Sequence, residues 1–166
     1  MFIQTERLTL KPIEDTDKEA LLRIFRDESV AETYMIPDLP TEEAETKLFC
    51  RIRDLSHSEG HYVAGIYREG ALIGLLNETE IAGERIELGY AIHPDFQNRG
   101  YATEAFGAVI AWLFEHGFCE VTAGAFASNL ASVKVMKKCG LKKRKEKAEV
   151  EYHGKLHPCV FYGIRK

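Results

Sequence analysis

The sequence predicts a mixed α/β fold, one sheet covered by helices on both faces. Short runs that alternate apolar and polar residues mark half-buried strands. Longer runs with apolar residues every three or four positions mark helices with one buried face. The elements follow in the order strand, two helices, three strands, helix, strand, helix, two strands, an interleaving that builds a mixed sheet with helical layers. At 166 residues, with no repeat, linker or low-complexity stretch, the chain is expected to form a single domain over 1–166.

The first strand is read from Arg7-Leu8-Thr9-Leu10-Lys11-Pro12-Ile13, where apolar and polar residues alternate. Thr16 followed by Glu19 resembles a capping box, and Leu21, Ile24 and Phe25 give the helix behind it a buried face. A second helix is expected after Pro40-Thr41, with Ala44, Leu48, Ile52 and Leu55 inward; Ser29 to Leu39 reads as loop or broken helix. Strands His61–Tyr67 and Ala71–Thr79 flank the hairpin turn Arg68-Glu69-Gly70. A turn at Ala82-Gly83-Glu84 leads into the strand Arg85–His93. Phe106, Val109, Ile110, Leu113 and Phe114 then keep helical spacing from about Thr103 to His116, and Gly117 ends the run. Glu120–Phe126 is a strand, Leu130–Cys139 a short helix closed by Gly140, and two last strands meet near Gly154.

Composition narrows the function. No apolar run approaches the roughly 20 residues that span a bilayer, and Met1 to Arg7 lacks the pattern of a secretory signal, so a cytoplasmic protein is expected. Cys50, Cys119, Cys139 and Cys159 are widely spaced with no CxxC pair, which fits reduced thiols; Cys119 and Cys139 sit among apolar residues and read as packing. His153, His157 and Cys159 share a hairpin but match no zinc spacing, so no metal is expected. A net charge of −4 argues against a nucleic-acid partner, and the one basic cluster, Lys142 to Lys145, runs straight into acidic residues.

The most informative segment is Leu88 to Ala105, where a strand ends at Pro94, a tight turn follows, and a helix starts at once. Free N–H groups at a helix start carry partial positive charge and converge on phosphates. Gly100 lets the backbone approach a ligand, Arg99 adds a cation, and Thr103 a hydroxyl. Taken alone, Gly100 reads equally as a structural glycine, and neither GxxxxGK[ST] nor GxGxxG is present. The run Gln97-x-x-Gly100-x-Ala102, however, resembles the coenzyme A diphosphate motif Q/R-x-x-G-x-G/A of the GNAT superfamily of N-acetyltransferases. Glu87 to Pro94 is similar to that family's fourth strand, and Asn129-x-x-Ser132 with Met136 to Leu141 resembles the second half of its acyl-CoA site. Thr5-Glu6-Arg7-Leu8-x-Leu10 and Gly100 to Ala105 look like the Rim-type branch, which includes ribosomal-protein N-terminal acetyltransferases.

This resemblance implies a mostly antiparallel sheet whose fourth and fifth strands splay to admit the pantetheine arm of acetyl-CoA. The backbone of Tyr90, Ala91 and Ile92 would pair with the arm. The amides of Gln97, Asn98, Arg99, Gly100, Tyr101 and Ala102, with Thr103 beside them, would cradle the diphosphate. Asn129 would hydrogen-bond the coenzyme arm, cap the next helix, or do both. The implied reaction is direct attack of a neutral amine on the thioester through a tetrahedral intermediate. An amine with pKa of about 8 to 10.4 needs a proton acceptor, for which Glu87 is the first candidate and Glu78 the second. Backbone N–H groups near Ile92 would polarise the carbonyl. Many members protonate the leaving thiolate with a tyrosine where this chain has Met136; Ser132 is the residue expected to serve the sulfur instead. The acceptor amine is a protein N-terminus or a small molecule, and a homodimer is a family-level expectation. The alternative activity is a non-catalytic acyl-CoA sensor on the same scaffold.

Overall fold

The strand expected over Arg7–Ile13 is shorter, and a tight turn and a further short strand that the alternation did not reveal precede it. In the computed structural model, which describes residues 1–166, Thr5 Oγ1 accepts from the Leu8 amide at 2.9 Å and Thr5 N–H donates to the Leu8 carbonyl. The chain therefore doubles back between β1 (Ile3–Gln4) and β2 (Thr9–Lys11). The box at the first helix also differs: the Glu14 N–H donates to Asp17 Oδ2, not Glu19 to Thr16, because a 3-10 turn over Asp15–Asp17 precedes α1 (Lys18–Phe25). The ambiguous stretch contains α2 (Glu28–Ala31), capped by Asp27, and then runs irregularly to α3 (Glu42–His57). Thr41 caps α3 by accepting from Ala44 N–H. Its inner face is anchored by Phe49, with Leu48, Ile52 and Leu55 partly buried beside it.

β3 (Ala64–Arg68) and β4 (Ala71–Ala82) are joined through Glu69 and Gly70, both at positive φ, as a two-residue hairpin turn requires. Then come β5 (Arg85–Ile92), α4 (Tyr101–Glu115), β6 (Glu120–Phe126), α5 (Leu130–Lys138), β7 (Lys142–Tyr152) and β8 (Lys155–Arg165). The helix α4 starts two residues earlier than its apolar spacing suggested, since Tyr101 is itself buried.

The eight strands form one sheet in the order β1-β2-β3-β4-β5-β6-β8-β7, antiparallel throughout except for β5 and β6. Two apolar layers sandwich it. On one face α1 and α3 cover Val63, Tyr67, Leu72, Leu75 and Ala91; on the other α4 packs Phe106, Val109 and Leu113 against Ile66, Ile86 and Leu88. Full burial of such side chains stabilises by about 1.5–3 kcal/mol each. The parallel pair is short: Arg85, Ile86 and Glu87 meet Glu120, Val121 and Thr122, and beyond that the two strands part. The expected splay is present, between β5 and β6 by the numbering that counts both N-terminal pieces.

Candidate active site

Where β5 and β6 separate, a cleft of about 390 Å³ passes through the sheet, within the usual size of small-ligand sites. Leu88 to Ile92 and Gly124–Ala125 form its walls. One mouth lies between the starts of α4 and α5; the other is bordered by Ser29, Thr33 and Tyr34 beside α2.

The backbone of β5 decides what the gap is offered. His93 N–H donates to the Ile73 carbonyl of β4, and Ala91 pairs with Leu75. Because successive residues of a strand point their amides to opposite edges, Ala91 is engaged with β4, whereas Leu88, Tyr90 and Ile92 turn theirs to the open edge. The Ile92 carbonyl is held by Gln97 Nε2 at 2.9 Å, which leaves the Ile92 N–H facing the gap.

At the first mouth, α4 begins without a side-chain cap. The amides of Asn98, Arg99 and Gly100 have no backbone acceptor, and those of Tyr101, Ala102 and Thr103 belong to the first helical turn, which has none of its own. Asn98 at φ 59° and Gly100 at φ 83° are both left-handed, which turns the amides toward one side. Gln97 departs from expectation: its N–H donates to the Pro94 carbonyl at 3.0 Å, so it pins the loop and offers the cleft no backbone donor. The Arg99 guanidinium lies over the Phe96 ring at 6.0 Å and outside the cleft lining.

The loop is braced from the N-terminus. Glu104, in the first turn of α4, accepts from Thr5 Oγ1 at 2.6 Å, from Arg7 N–H at 2.9 Å and from Arg7 Nε at 2.7 Å, and Arg7 Nη1 donates to the Arg99 carbonyl at 3.1 Å. Burial works against the Glu104 carboxylate, but these hydrogen bonds and the Arg7 charge together hold it below its ordinary range.

On α5, Asn129 Oδ1 caps the helix by accepting from Ser132 N–H at 3.0 Å. The Ser132 hydroxyl lies in the cleft, 3.1 Å from the Tyr90 hydroxyl. Burial pushes the Tyr90 phenol up to about 12, partly offset by the Ser132 hydrogen bond. Met136, one turn on, is fully buried, so its place in the helix contributes packing only.

Glu87 alternates with Gly89 and Ala91, on the face of β5 toward α1 to α3, and accepts from Thr79 Oγ1 at 3.0 Å; it is not part of the cleft wall. The second candidate base is engaged elsewhere, since Glu78 takes His61 Nδ1 at 2.7 Å and the Tyr62 amide at 2.9 Å. Cys119 is exposed, not packed as its apolar neighbours suggested, because it alternates with buried Phe118 and Glu120 and so points to solvent. Cys139 is half-buried and burial raises its thiol to about 11, well away from a nucleophile's range. No group of three or more His, Cys, Asp or Glu side chains is placed to hold a metal ion, and no helix is long and apolar enough to cross a membrane.

Sequence reasoning missed several lining residues. Lys134 and Lys138 stand one helical turn apart on the cleft side of α5, an i,i+4 spacing that was visible. Tyr34, stacked on Phe25 and donating to Asn77 Oδ1 at 2.5 Å, had no such signal.

An uncapped helix start beside a gap in a mixed sheet, with a hydroxyl pair at its far side, defines a site of the acyl-CoA-dependent transferase type. Residues 7–142 match the Acetyltransferase (GNAT) domain, and the chain belongs to that family. It is 30% identical over 145 residues to YnaD, an uncharacterized N-acetyltransferase of Bacillus subtilis (strain 168), covering 86% of this chain and 84% of that protein. Its fold superposes with a TM-score of 0.86 on a GNAT-family acetyltransferase from Bacillus anthracis, at 25% identity over 99% of this chain and 98% of the other. The fold is also that of RimL, a ribosomal L7/L12 alpha-N-protein acetyltransferase solved in complex with coenzyme A, at TM-score 0.87 and 18% identity over 99% and 98% of the two chains. The protein is an acetyl-CoA-dependent acyltransferase.

Proposed function

We propose that the protein moves an acetyl group from acetyl-CoA to a primary amine, on a protein N-terminus or a small molecule, by direct attack through a tetrahedral intermediate. The observation that carries this reading is the through-sheet cleft, with free amides at one mouth and a polar rim at the other. A diphosphate fits the first mouth because six consecutive amides, 98 to 103, are left without acceptors where the α4 dipole is positive. Gly100 keeps that approach free of a Cβ, Thr103 lies beside it, and Lys134 and Lys138 add charge, while the Arg99 side chain, over the Phe96 ring, would have to swing in to add its own. Asn129 would reach the coenzyme arm through Nδ2, its Oδ1 being engaged in the cap.

Acetyl-CoA brings an activated thioester; the chain orients and polarises it. Tyr90 and Ile92 would offer the arm their backbone groups, with the Ile92 N–H directed at the thioester carbonyl. Ala91 contributes wall only, as its amide belongs to β4. The amine would enter past Ser29, Thr33 and Tyr34 on the opposite face, which is also the face of Glu87, and Glu87 would accept its proton directly or through water. Ser132 would donate a hydrogen bond to the coenzyme sulfur as the thiolate leaves.

A thiol-release assay over a panel of amines and N-terminal peptides tests the activity: turnover with at least one amine is expected, and binding of acetyl-CoA with no turnover on any would leave only a sensor. Ser132→Ala should lower kcat on the order of 10–100-fold with little change in KM for acetyl-CoA; unchanged kcat removes its role. Glu87→Gln should flatten the acidic limb of the pH–rate profile, and a profile identical to wild type excludes Glu87 as base.

A further inference from the structure

We infer that Tyr90 is a positioning residue for the leaving-group step, its phenol donating to Ser132 Oγ so that the Ser132 O–H is directed at the coenzyme sulfur. This rests on the reading of Ser132 proposed above. The two hydroxyls are 3.1 Å apart in the cleft wall, on β5 and on the first turn of α5. Each is fixed by something other than the pair. The Tyr90 ring lies 5.2 Å from the Phe106 ring on α4, and the Ser132 amide is held by the Asn129 cap.

The direction of the bond follows from acidity and from what else is near. A phenol is a far stronger acid than an aliphatic alcohol, so the Tyr90 O–H is the better donor and Ser132 Oγ the better acceptor; the phenol's other acceptor, the Ser132 carbonyl, is farther away at 3.5 Å. With that lone pair engaged, the serine proton turns away from Tyr90 into the gap. An alcohol that accepts one hydrogen bond also donates a stronger one, because hydrogen-bonded chains polarise each other. Without Tyr90, Ser132 could turn its proton back to the carbonyls of its own helix, as serines in helices do. No bond to hydrogen has to break in Tyr90. Burial raises its pKa and leaves it a much poorer acid than a thiol of about 8.5, so the phenol stays protonated while the thiolate departs and takes its proton from solvent. The arrangement fits this chain, whose buried Met136 supplies no hydroxyl on α5.

The test is a double-mutant cycle with Tyr90→Phe, which keeps the ring against Phe106 and removes only the hydroxyl, and Ser132→Ala. Tyr90→Phe alone should lower kcat on the order of 3–10-fold with KM for acetyl-CoA nearly unchanged. In the Ser132→Ala background the same change should cost nothing further in kcat. Thermal unfolding is read on all four proteins, because loss of packing would lower Tm and cost the same activity in both backgrounds. Wild-type kcat in Tyr90→Phe, or an equal loss with and without Ser132, overturns the inference while Ser132 keeps its role. Wild-type kcat in Ser132→Ala would remove the role of Ser132 itself and this inference with it.

Discussion

Replacing Glu104 by Gln isolates the brace between the N-terminus and the turn from Gln97 to Ala102. The carboxylate takes four contacts: Thr5 Oγ1, Arg7 N–H, Arg7 Nε and, at 2.6 Å, Arg7 Nη2. A glutamine oxygen can keep the first two, but its NH2 would face the guanidinium donor to donor, losing the charged half. The side chain of Glu104 is 18% exposed and that of Arg7 43%, so the pair lies between an exposed ion pair, worth about 0.2–1 kcal/mol, and charge-assisted hydrogen bonds, about 1.5–3 kcal/mol. A loss of about 1–2 kcal/mol is expected near pH 7, which for a domain of this size is a Tm decrease of roughly 2–8 °C. The pH dependence gives the sign. The folded carboxyl lies below its ordinary value of 4.5, so its contribution is complete above that value and disappears as pH falls through the lowered one. Urea unfolding of both proteins between pH 7 and pH 3.5 should therefore show a gap that closes on acidification. The variant should also have a higher KM for acetyl-CoA, because Arg7 no longer steadies the Arg99 carbonyl. A gap that stays constant with pH would refute the electrostatic account, and unaltered stability at pH 7 would refute the brace.

Two further substitutions separate folding from binding. Gly100→Ala puts a Cβ at a φ of 83°, 3.4 Å from Arg7 Nη2, so it should cost about 1–2 kcal/mol in urea unfolding from left-handed strain, and calorimetry should register weaker coenzyme A binding beyond that loss. Gly89→Ala meets only ordinary contacts, 3.5 Å from Asn77 Oδ1 and Thr79 Cγ2 and 3.6 Å from Tyr34, yet puts a methyl into the cleft on the amine side. Its Tm should stay within about 2 °C of wild type while KM for the amine rises, and an unchanged acceptor KM would move the amine site away from β5.

What the sequence revealed was local. The turn from Gln97 to Ala102 could be read because a strand end, a glycine and a helix start lie within a dozen residues, and their chemistry is set by neighbours in the chain. The reach of Arg7 to Glu104, 97 residues away, and of Tyr90 to Ser132, 42 residues away, leaves no periodic trace, since only tertiary packing brings those pairs together. The same limit explains Gln97 and Ala91. Which amides face the gap depends on the parity of β5 relative to β4, and that parity is anchored by one bond, His93 N–H to the Ile73 carbonyl. Shifting it by one residue would turn Ala91 into the gap and Tyr90 away, exchanging every side chain between the two faces as well. Gln97 ties down the same strand from its other edge, through the Ile92 carbonyl. The glutamine of the motif thus acts where the proposed function puts the thioester, by fixing the strand that carries the Ile92 amide, and the proposed diphosphate end is left to the uncapped turn of α4.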